Sequence, residues 1–447
     1  MRADKLLRLS GLALSMGVML ACSALGNTPT PVPPAPGTPT AAPPTEGAPT
    51  VSSPTATQPA DTAEPGPPTE VPPTAVQGPG IAHLPSGKGF DVGYIHMVDV
   101  KQGWAVGGLS QAEDHVLSTQ DGGQTWRDVT PPEPAPGAGN TVAALGFFSD
   151  AAHAWVAYAP TELGSVPPGV RVWFTSDGGA SWSYGVVDTS QVSQESFLPL
   201  YLTFADAQHG WLLVALGAGM NHQYVGLFAT NDGGKSWALI QDPTSPAEMQ
   251  SFPKTGLAFA DADTGWLTRD GQGVDAVAHV IKTEDGGVTW TRIDLDGPDG
   301  SSSWYDAHAC GTYSPVAFSP KSLLVLVKCL DNATFKVEQD YLYATSDGGQ
   351  TWKVVTLPAA FAVEDPPAGG LFFSDAQKGL ALGREIFGTA DGGKTWSARK
   401  QVNWDGQFSF VDINTGWAIA RNAGQIALVK TVDSGKTWQE IRPVVAP

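Results

Sequence analysis

From about residue 80 onward, short runs of β-branched and aromatic residues are broken by clusters of Gly, Asp, Ser and Pro. Residues 255–294 show the unit: TGLAFA, a turn, GWLTR, a loop, VAHVIKT, a tight eight-residue stretch, and WTRID. That reads as four short strands, and nothing beyond residue 80 sustains a helical period. The unit recurs seven times. A lone four-stranded sheet cannot cover both of its faces, but copies arranged around an axis cover one another. The pattern predicts an all-β chain: a single seven-bladed β-propeller of four-stranded antiparallel blades over residues 81–447. The repeat opens on a first strand and ends on a fourth, so ring closure is left open, with residues 81–92 as the candidate for an added edge strand.

The eight-residue stretch is the most regular feature. Its copies are Thr119–Trp126, Thr175–Trp182, Thr230–Trp237, Thr283–Trp290, Thr345–Trp352, Thr389–Trp396 and Thr431–Trp438, each T-x-D-[GS]-G-x-[ST]-W. The aspartates are Asp121, Asp177, Asp232, Asp285, Asp347, Asp391 and Asp433. Placed between the third and fourth strands, the two glycines allow positive φ, and Thr and Asp accept turn N–H groups. The tryptophan starts the fourth strand. Calcium wants six or more oxygens, and one carboxylate per box is too few. No metal and no cofactor is expected. A second motif, F-x-D-x-x-x-G-W, precedes most boxes and ends at Trp104, Trp155, Trp211, Trp266 and Trp417. Leu380 replaces its tryptophan in the sixth unit, and "FSPKSLL" loses the motif in the fifth. A cystine in the fifth unit is the candidate replacement for that packing.

These boxes resemble the Asp-box, or BNR repeat, of sialidases, sortilin-type receptors, some xyloglucan hydrolases and photosystem II assembly propellers. The paired motifs are most similar to the last group over nearly all of residues 91–442. That resemblance implies a seven-bladed, non-enzymatic assembly or stability factor that binds a membrane-protein partner. The sialidase relatives imply the alternative, a glycoside hydrolase with three converging arginines or a carbohydrate-binding propeller. Here the F-R-I-P type motif of sialidases is missing.

The N-terminus changes the picture of where the propeller sits. Arg2, Lys5 and Arg8 precede an apolar stretch, Gly11 to Ala21, too short for a comfortable membrane span. Ala21-Cys22 resembles the cleavage and lipidation site of a bacterial lipoprotein, making 1–21 a signal peptide. Residues 22–80 then hold seventeen of the chain's 37 prolines, with no aromatic residue, Lys or Arg. Such sequence cannot offset its ordering entropy and favours extended polyproline II. The expectation is a disordered tether that displays the propeller in the bacterial cell envelope, outside the cytoplasm.

Charge and the remaining residues narrow the chemistry. With 44 acids against 25 Lys and Arg, the net charge is −19, which disfavours nucleic acid and anionic lipid headgroups. A protein or a glycan is the expected partner, and a monomer the expected state. Cys310 and Cys329 bracket a hairpin turning at Ser319-Pro320. Equal position sums place them opposite each other, so a disulfide is expected. In an up-and-down blade both repeated motifs share one rim. The opposite rim carries the long irregular segments 130–141, 188–198, 242–255 and 294–312, where binding belongs. Arg269, Arg384 and Arg421 each follow a second strand onto that rim and are candidates for holding a carboxylate, with local pairing as the plain alternative. Trp304, Tyr305 and Trp404 are candidate aromatic anchors, with loop packing as the equal alternative. No catalytic set is assigned: GxSxG, HExxH and phosphate-loop motifs are missing.

Overall fold

The computed structural model describes residues 80–446, apart from 137–140, 161–168, 193–195, 220–221, 246, 272–275, 335, 358–369 and 376. The signal segment, Cys22 and the tether lie outside the described residues. Seven sheets form a seven-bladed propeller, each built on four antiparallel strands in sequence order from the first strand outward, with a fifth strand added to blade one. The first strands are Asp91–Met97, Val142–Phe148, Leu198–Phe204, Lys254–Phe259, His308–Ser319, Gly370–Phe373 and Asp405–Phe410, and they meet their neighbours around the axis. Blade four matches its sequence reading closely: Lys254–Phe259, Gly265–Arg269, His279–Thr283 and Thr291–Asp294. Helix among the described residues is limited to the turn Ala247–Gln250 and three 3₁₀ segments.

Every box is built alike. In blade one, Thr119 Oγ1 donates to Asp121 Oδ1 (2.9 Å) and accepts the N–H of Gly123 (3.0 Å). Asp121 in turn accepts the N–H and hydroxyl of Thr125. Gly122 and Gly123 have φ of 77° and 93°, which only glycine adopts without strain. The N–H of Gly122 bonds back to Lys101 O in the turn between strands one and two, as Gly233 does to Gln208 and Gly286 to Asp263. Both motifs therefore occupy one rim. In the first turns the motif aspartate closes an Asx turn, as Asp150 does with Ala152 and His153. In blade five Ser319 Oγ takes that place.

The motifs also join neighbouring blades. The indole N–H of Trp417 donates to the first box glycine of blade one (Gly122 O, 2.9 Å), Trp155 to Gly233 and Trp211 to Gly286. Arg127 and Lys282 fill the same role toward Gly178 and Gly348. Two of those indoles also meet an aromatic neighbour on the next blade, whereas Trp417 is covered by the Lys430 ammonium at 4.4 Å. Phe259 at the end of one first strand lies parallel to Trp211 of the preceding blade at 3.5 Å, and Phe204 lies on Trp155 at 4.0 Å. Each of these three indole junctions buries a large side chain, about 2–3 kcal/mol, with a hydrogen bond adding about 1 kcal/mol.

The ring closes through the C-terminus. Val444–Val445 adds as a fifth strand, parallel to Thr125–Asp128 on the outer edge of blade one. Residues 81–90 add no regular strand; Gly89 makes a single antiparallel bridge to Val444, and Val445 bonds Lys88 O and Gly87 N. At the inner edge, Gln407 of blade seven accepts from Ile95 N and donates to Ile95 O. Ser409 Oγ accepts from Met97 N.

Cys310 and Cys329 are directly paired and disulfide-bonded. The hairpin turns one residue later than its position sums imply, with Ser319 opposite Ser322, and register shifts between Tyr313 and Ser319 absorb the difference. The cystine lies at the far end of the hairpin from "FSPKSLL", so it does not replace the packing lost there.

Two outcomes follow from these contacts. Removing residues 444–447 uncovers the buried Val445 and breaks four backbone bonds. A loss of about 3 kcal/mol in urea unfolding is expected; an unchanged midpoint would show that the strand contributes nothing to closure. In acid, Asp177 and Asp391 are held at about 2 by the Ser181 and Thr395 hydroxyls first and then by backbone N–H groups. Asp347 is lowered by the same bonds. In Asp121, Asp232 and Asp285 burial opposes the charge, but the bonds outweigh it. A depressed folded pKa gives stability that is complete above the unfolded value near 4 and lost as pH falls through the folded value. Melting temperature is expected to drop between pH 4 and pH 2, and a flat profile there contradicts the turn-locking role.

Candidate functional site

The two rims treat ionised groups differently. On the motif rim the box carboxylates are bonded in their charged form. The carboxyls pushed upward among the described residues are Glu133 and Asp340, both on the opposite, loop rim. Glu133 is raised by burial, although Trp173 Nε1 (2.6 Å) and Arg171 (3.3 Å) donate to it. Asp340 sits in the third strand of blade five, Val337–Thr345, opposite Lys328. Its residue is 0 % exposed and neither oxygen has a hydrogen-bond partner. Burial pushes its pKa to about 6 against the pull of Lys328. The hydroxyl of nearby Tyr313 is spent on Asp270 (2.9 Å).

Blade four holds the opposite case. Lys254 and Arg269 are register partners at its loop-rim end, and His279 continues the row. All three are buried. The Lys254 ammonium donates to the carbonyls of Ser251 and Phe252, both at 2.7 Å. Burial first, and then Arg269, bring its pKa down to about 7. The Arg269 guanidinium lies over the Phe252 ring (4.5 Å) and bonds His279. Groups driven toward neutrality by their surroundings collect at functional sites more often than elsewhere.

The sequence candidates fall into two separate groups. Arg384 is exposed and makes a bidentate pair with Asp405, both contacts at 2.7 Å. That pair holds Asp405 below the ordinary carboxylate range. Asp405 is also the strand partner of Arg421, whose guanidinium donates to Gly93 O of blade one (2.6 Å). Trp404 precedes Asp405 and packs on Phe408 and Trp438. Arg384, Arg421 and Trp404 thus form one corner at blades six and seven.

Arg269 does not join them: it is 1 % exposed inside blade four. Trp304 and Tyr305 lie beside blade five. Tyr305 is buried with its hydroxyl on Leu295 O (2.9 Å), and Trp304 lies parallel to His308 at 4.0 Å. In both residues the loop-packing alternative is the one the contacts describe.

Sequence reading missed Glu133, Lys254, His279 and Asp340. One signal was available for Asp340. In "EQDYLYAT" it is in phase with Leu342 and Ala344, the alternation that faces a neighbouring blade. Lys254 carries no such mark, because its burial comes from the loop before it.

No protein-family model matches the chain. The chain is similar to the Photosystem II assembly lipoprotein Ycf48 of Synechococcus sp. (strain CC9902), 25% identical over 274 residues, 59% of this chain and 67% of that protein. Among solved structures it is similar to YCF48 from Cyanidioschyzon merolae, with 16% identity and a TM-score of 0.46, covering 78% of this chain and 97% of that one. It is also similar to YCF48 bound to D1 peptide, with 15% identity and a TM-score of 0.47 over 80% and 96% of the two chains. A GH74 xyloglucanase from Xanthomonas campestris gives 14% identity and a TM-score of 0.36 over 79% and 68%.

The buried groups of the loop rim have measurable signs. A carboxyl raised from near 4 to about 6 withdraws stability as pH climbs through that window, by about 3 kcal/mol at pH 7 if relaxation is ignored. Asp340→Asn is expected to raise stability at pH 7 by about 2 kcal/mol and to flatten the slope between pH 4 and pH 6. Lys254 acts between pH 7 and 10, where the unfolded chain holds the proton and the folded one does not, so stability rises with pH there. Lys254→Met should remove that rise. Denaturant melts across pH decide both, and unchanged slopes would contradict them.

Proposed function

We propose that this chain is a non-catalytic, protein-binding, assembly-factor-like propeller that engages its partner through the loop rim. The similarity over 274 residues to a photosystem II assembly lipoprotein carries the reading. The rim chemistry agrees with it. The motif rim uses its polar groups on its own turns, whereas the loop rim offers the Arg384–Asp405–Arg421 corner and the groups held away from their charged forms. An arginine pair organised by one aspartate suits an acidic side chain or a chain-terminal carboxylate on the partner. In this reading Cys22 carries the lipid, and residues 22–80 hold the propeller away from the membrane on the outer side.

The sialidase-like alternative needs Arg269, Arg384 and Arg421 to converge on one carboxylate. Arg269 is buried in blade four, away from the other two, and no observation favours that reading over the first.

The rims separate the outcomes of a binding experiment. The full chain is used as bait on detergent-solubilised membranes from its source. Retention of a membrane protein is expected to fall at least tenfold with Arg384→Glu/Arg421→Glu. It should be unchanged with Val288→Glu/Val432→Glu, which alters exposed positions (57% and 67%) of the motif rim. Loss with the second pair and not the first would reverse the assignment of faces. Hydrolysis of a fluorogenic sialoside by the wild type would overturn the non-catalytic reading. For the anchor, Cys22→Ala should move the protein from the membrane to the soluble fraction, and continued membrane retention in alkaline carbonate would exclude lipidation as the anchor.

A further inference from the structure

Lys254 and Arg269 are buried register partners at the loop-rim end of blade four. Lys254 makes no ion pair among the described residues, in a chain that carries 44 acids. Burial and Arg269 both act against its ammonium, and no carboxylate pulls the other way. Buried charges are ordinarily paired, and an unpaired buried ammonium gives up its proton instead. A desolvated lysine beside another cation is the usual setting for a nucleophilic amine.

The geometry around the nitrogen favours the neutral form. Nζ donates to the carbonyls of Ser251 and Phe252, both at 2.7 Å. A neutral amine has two N–H groups and one lone pair, so these two bonds occupy its donors and leave the lone pair free. The loop is bent to present those carbonyls: Phe252 holds a φ of 50°, a left-handed conformation that costs a bulky residue energy. The same residue orients the neighbouring cation, since the Arg269 guanidinium lies over its ring at 4.5 Å. Phe252 thus fixes the lysine by its carbonyl and the arginine by its ring.

The other groups packed here are neutral or spent. His279 Nδ1 donates to Val277 O (3.0 Å) and its Nε2 accepts from Arg269, so the imidazole is uncharged. From blade three, Gln223 Oε1 accepts the Lys254 N–H and the Tyr201 hydroxyl donates to Lys254 O. Asp270 Oδ1 accepts from Gly271 N and from the Tyr313 hydroxyl. Turning the amine into an anion converts a repulsive contact with Arg269 into an attractive one.

Carbon dioxide performs that conversion. It is uncharged, has only three atoms, and reacts with unprotonated amines alone. The Nζ lone pair attacks the carbon and an N–C bond forms. One C=O π pair moves onto oxygen, and one N–H proton leaves to solvent. The product keeps one N–H for one of the two loop carbonyls, and no oxidant, reductant or metal takes part. We propose that Lys254 is a carbon dioxide acceptor, forming an N-carboxylate whose charge is balanced by the Arg269 guanidinium. The site is separate from the Arg384–Asp405–Arg421 corner and does not depend on the protein-binding reading.

The full chain is equilibrated with ¹³C-bicarbonate at about pH 7.5, just above the point where a lysine of this kind loses its proton. A carbamate resonance is expected by ¹³C NMR and should be missing in Lys254→Met. A free α-amino terminus forms its own carbamate near its pKa of about 8 and shows in both proteins that labelling worked. Trapping with triethyloxonium, followed by peptide mass spectrometry, is expected to place label on Lys254 at least tenfold above the exposed Lys88 and Lys101. Arg269→Lys keeps the positive charge and should retain the signal, whereas Arg269→Gln should weaken it at least fivefold. The wild-type NMR and trapping need no variant, so they decide the matter if Arg269→Gln unfolds. A spectrum with free bicarbonate and the terminal carbamate alone, a resonance unchanged in Lys254→Met, or equal label on Lys254 and the exposed lysines would each overturn the proposal.

Discussion

The propeller depends on one hydrogen bond made between blades. The carbonyl of the first box glycine points across the gap and accepts from the preceding blade: Gly122 from Trp417, Gly233 from Trp155, Gly286 from Trp211. For that carbonyl to project, the glycine must hold positive φ, and the Thr–Asp pair must fix the turn behind it. For the donor to reach, the G-W tryptophan must lie flat against the next blade, where Phe259 or Phe204 covers it. Two short motifs on different blades are therefore one interaction. Where they meet, at three of the junctions, their spacing sets the angle between blades.

This dependence also accounts for how the polar groups of the motif rim are used. Its aspartates, threonines and glycine carbonyls are consumed by turns and junctions, and their charged forms are already paired with N–H groups and hydroxyls. Replacing any of them for the sake of a ligand would loosen a blade contact. The other rim carries no such duty. Its connections vary in length, and its side chains can be held in unfavourable protonation states without disturbing the ring.

Much of this was legible in the sequence, because the boxes are local structures. T-x-D-G-G-x-T-W closes on itself within eight residues, so strand count, blade count and the shared rim could be read from spacing alone. What each motif touches on the next blade could not. The Trp417–Gly122 pair joins positions 295 residues apart, and no local pattern announces it. Closure by Val444–Val445 was hidden for a different reason: two residues carry no periodicity. The cystine shows a third case. Equal position sums paired Cys310 with Cys329, yet the turn itself lies one residue later, because register shifts in the hairpin compensate. Arg269 ends its second strand, Arg421 lies one residue before the end and Arg384 just beyond it, but convergence is a property of the whole ring, and Arg269 is drawn inside by the Phe252 loop.

The junctions are not equally strong, and the pattern of weakness follows the chemistry. Blades one to four are joined to their predecessors by Trp417, Arg127, Trp155 and Trp211. Beyond them the lock degrades. The Trp266 indole N–H is buried with no partner, Leu324 and Leu380 stand where indoles would be, and the boxes of blades six and seven receive no such bond among the described residues. Other interactions take up the load: Lys282 to Gly348, Thr312 to the backbone of Arg269 and His279, and the Arg384–Asp405 pair between blades six and seven. The same sector holds Lys254, Arg269 and Asp340, the ionisable groups most at odds with their surroundings. A ring closed on itself tolerates a few costly residues, because opening one junction means bending all the others. The buried groups of the loop rim are held apart from the repeat motifs: Lys254 and Arg269 lie in a blade that keeps both motifs, Asp340 in the blade that loses one, and Glu133 in the connection after blade one.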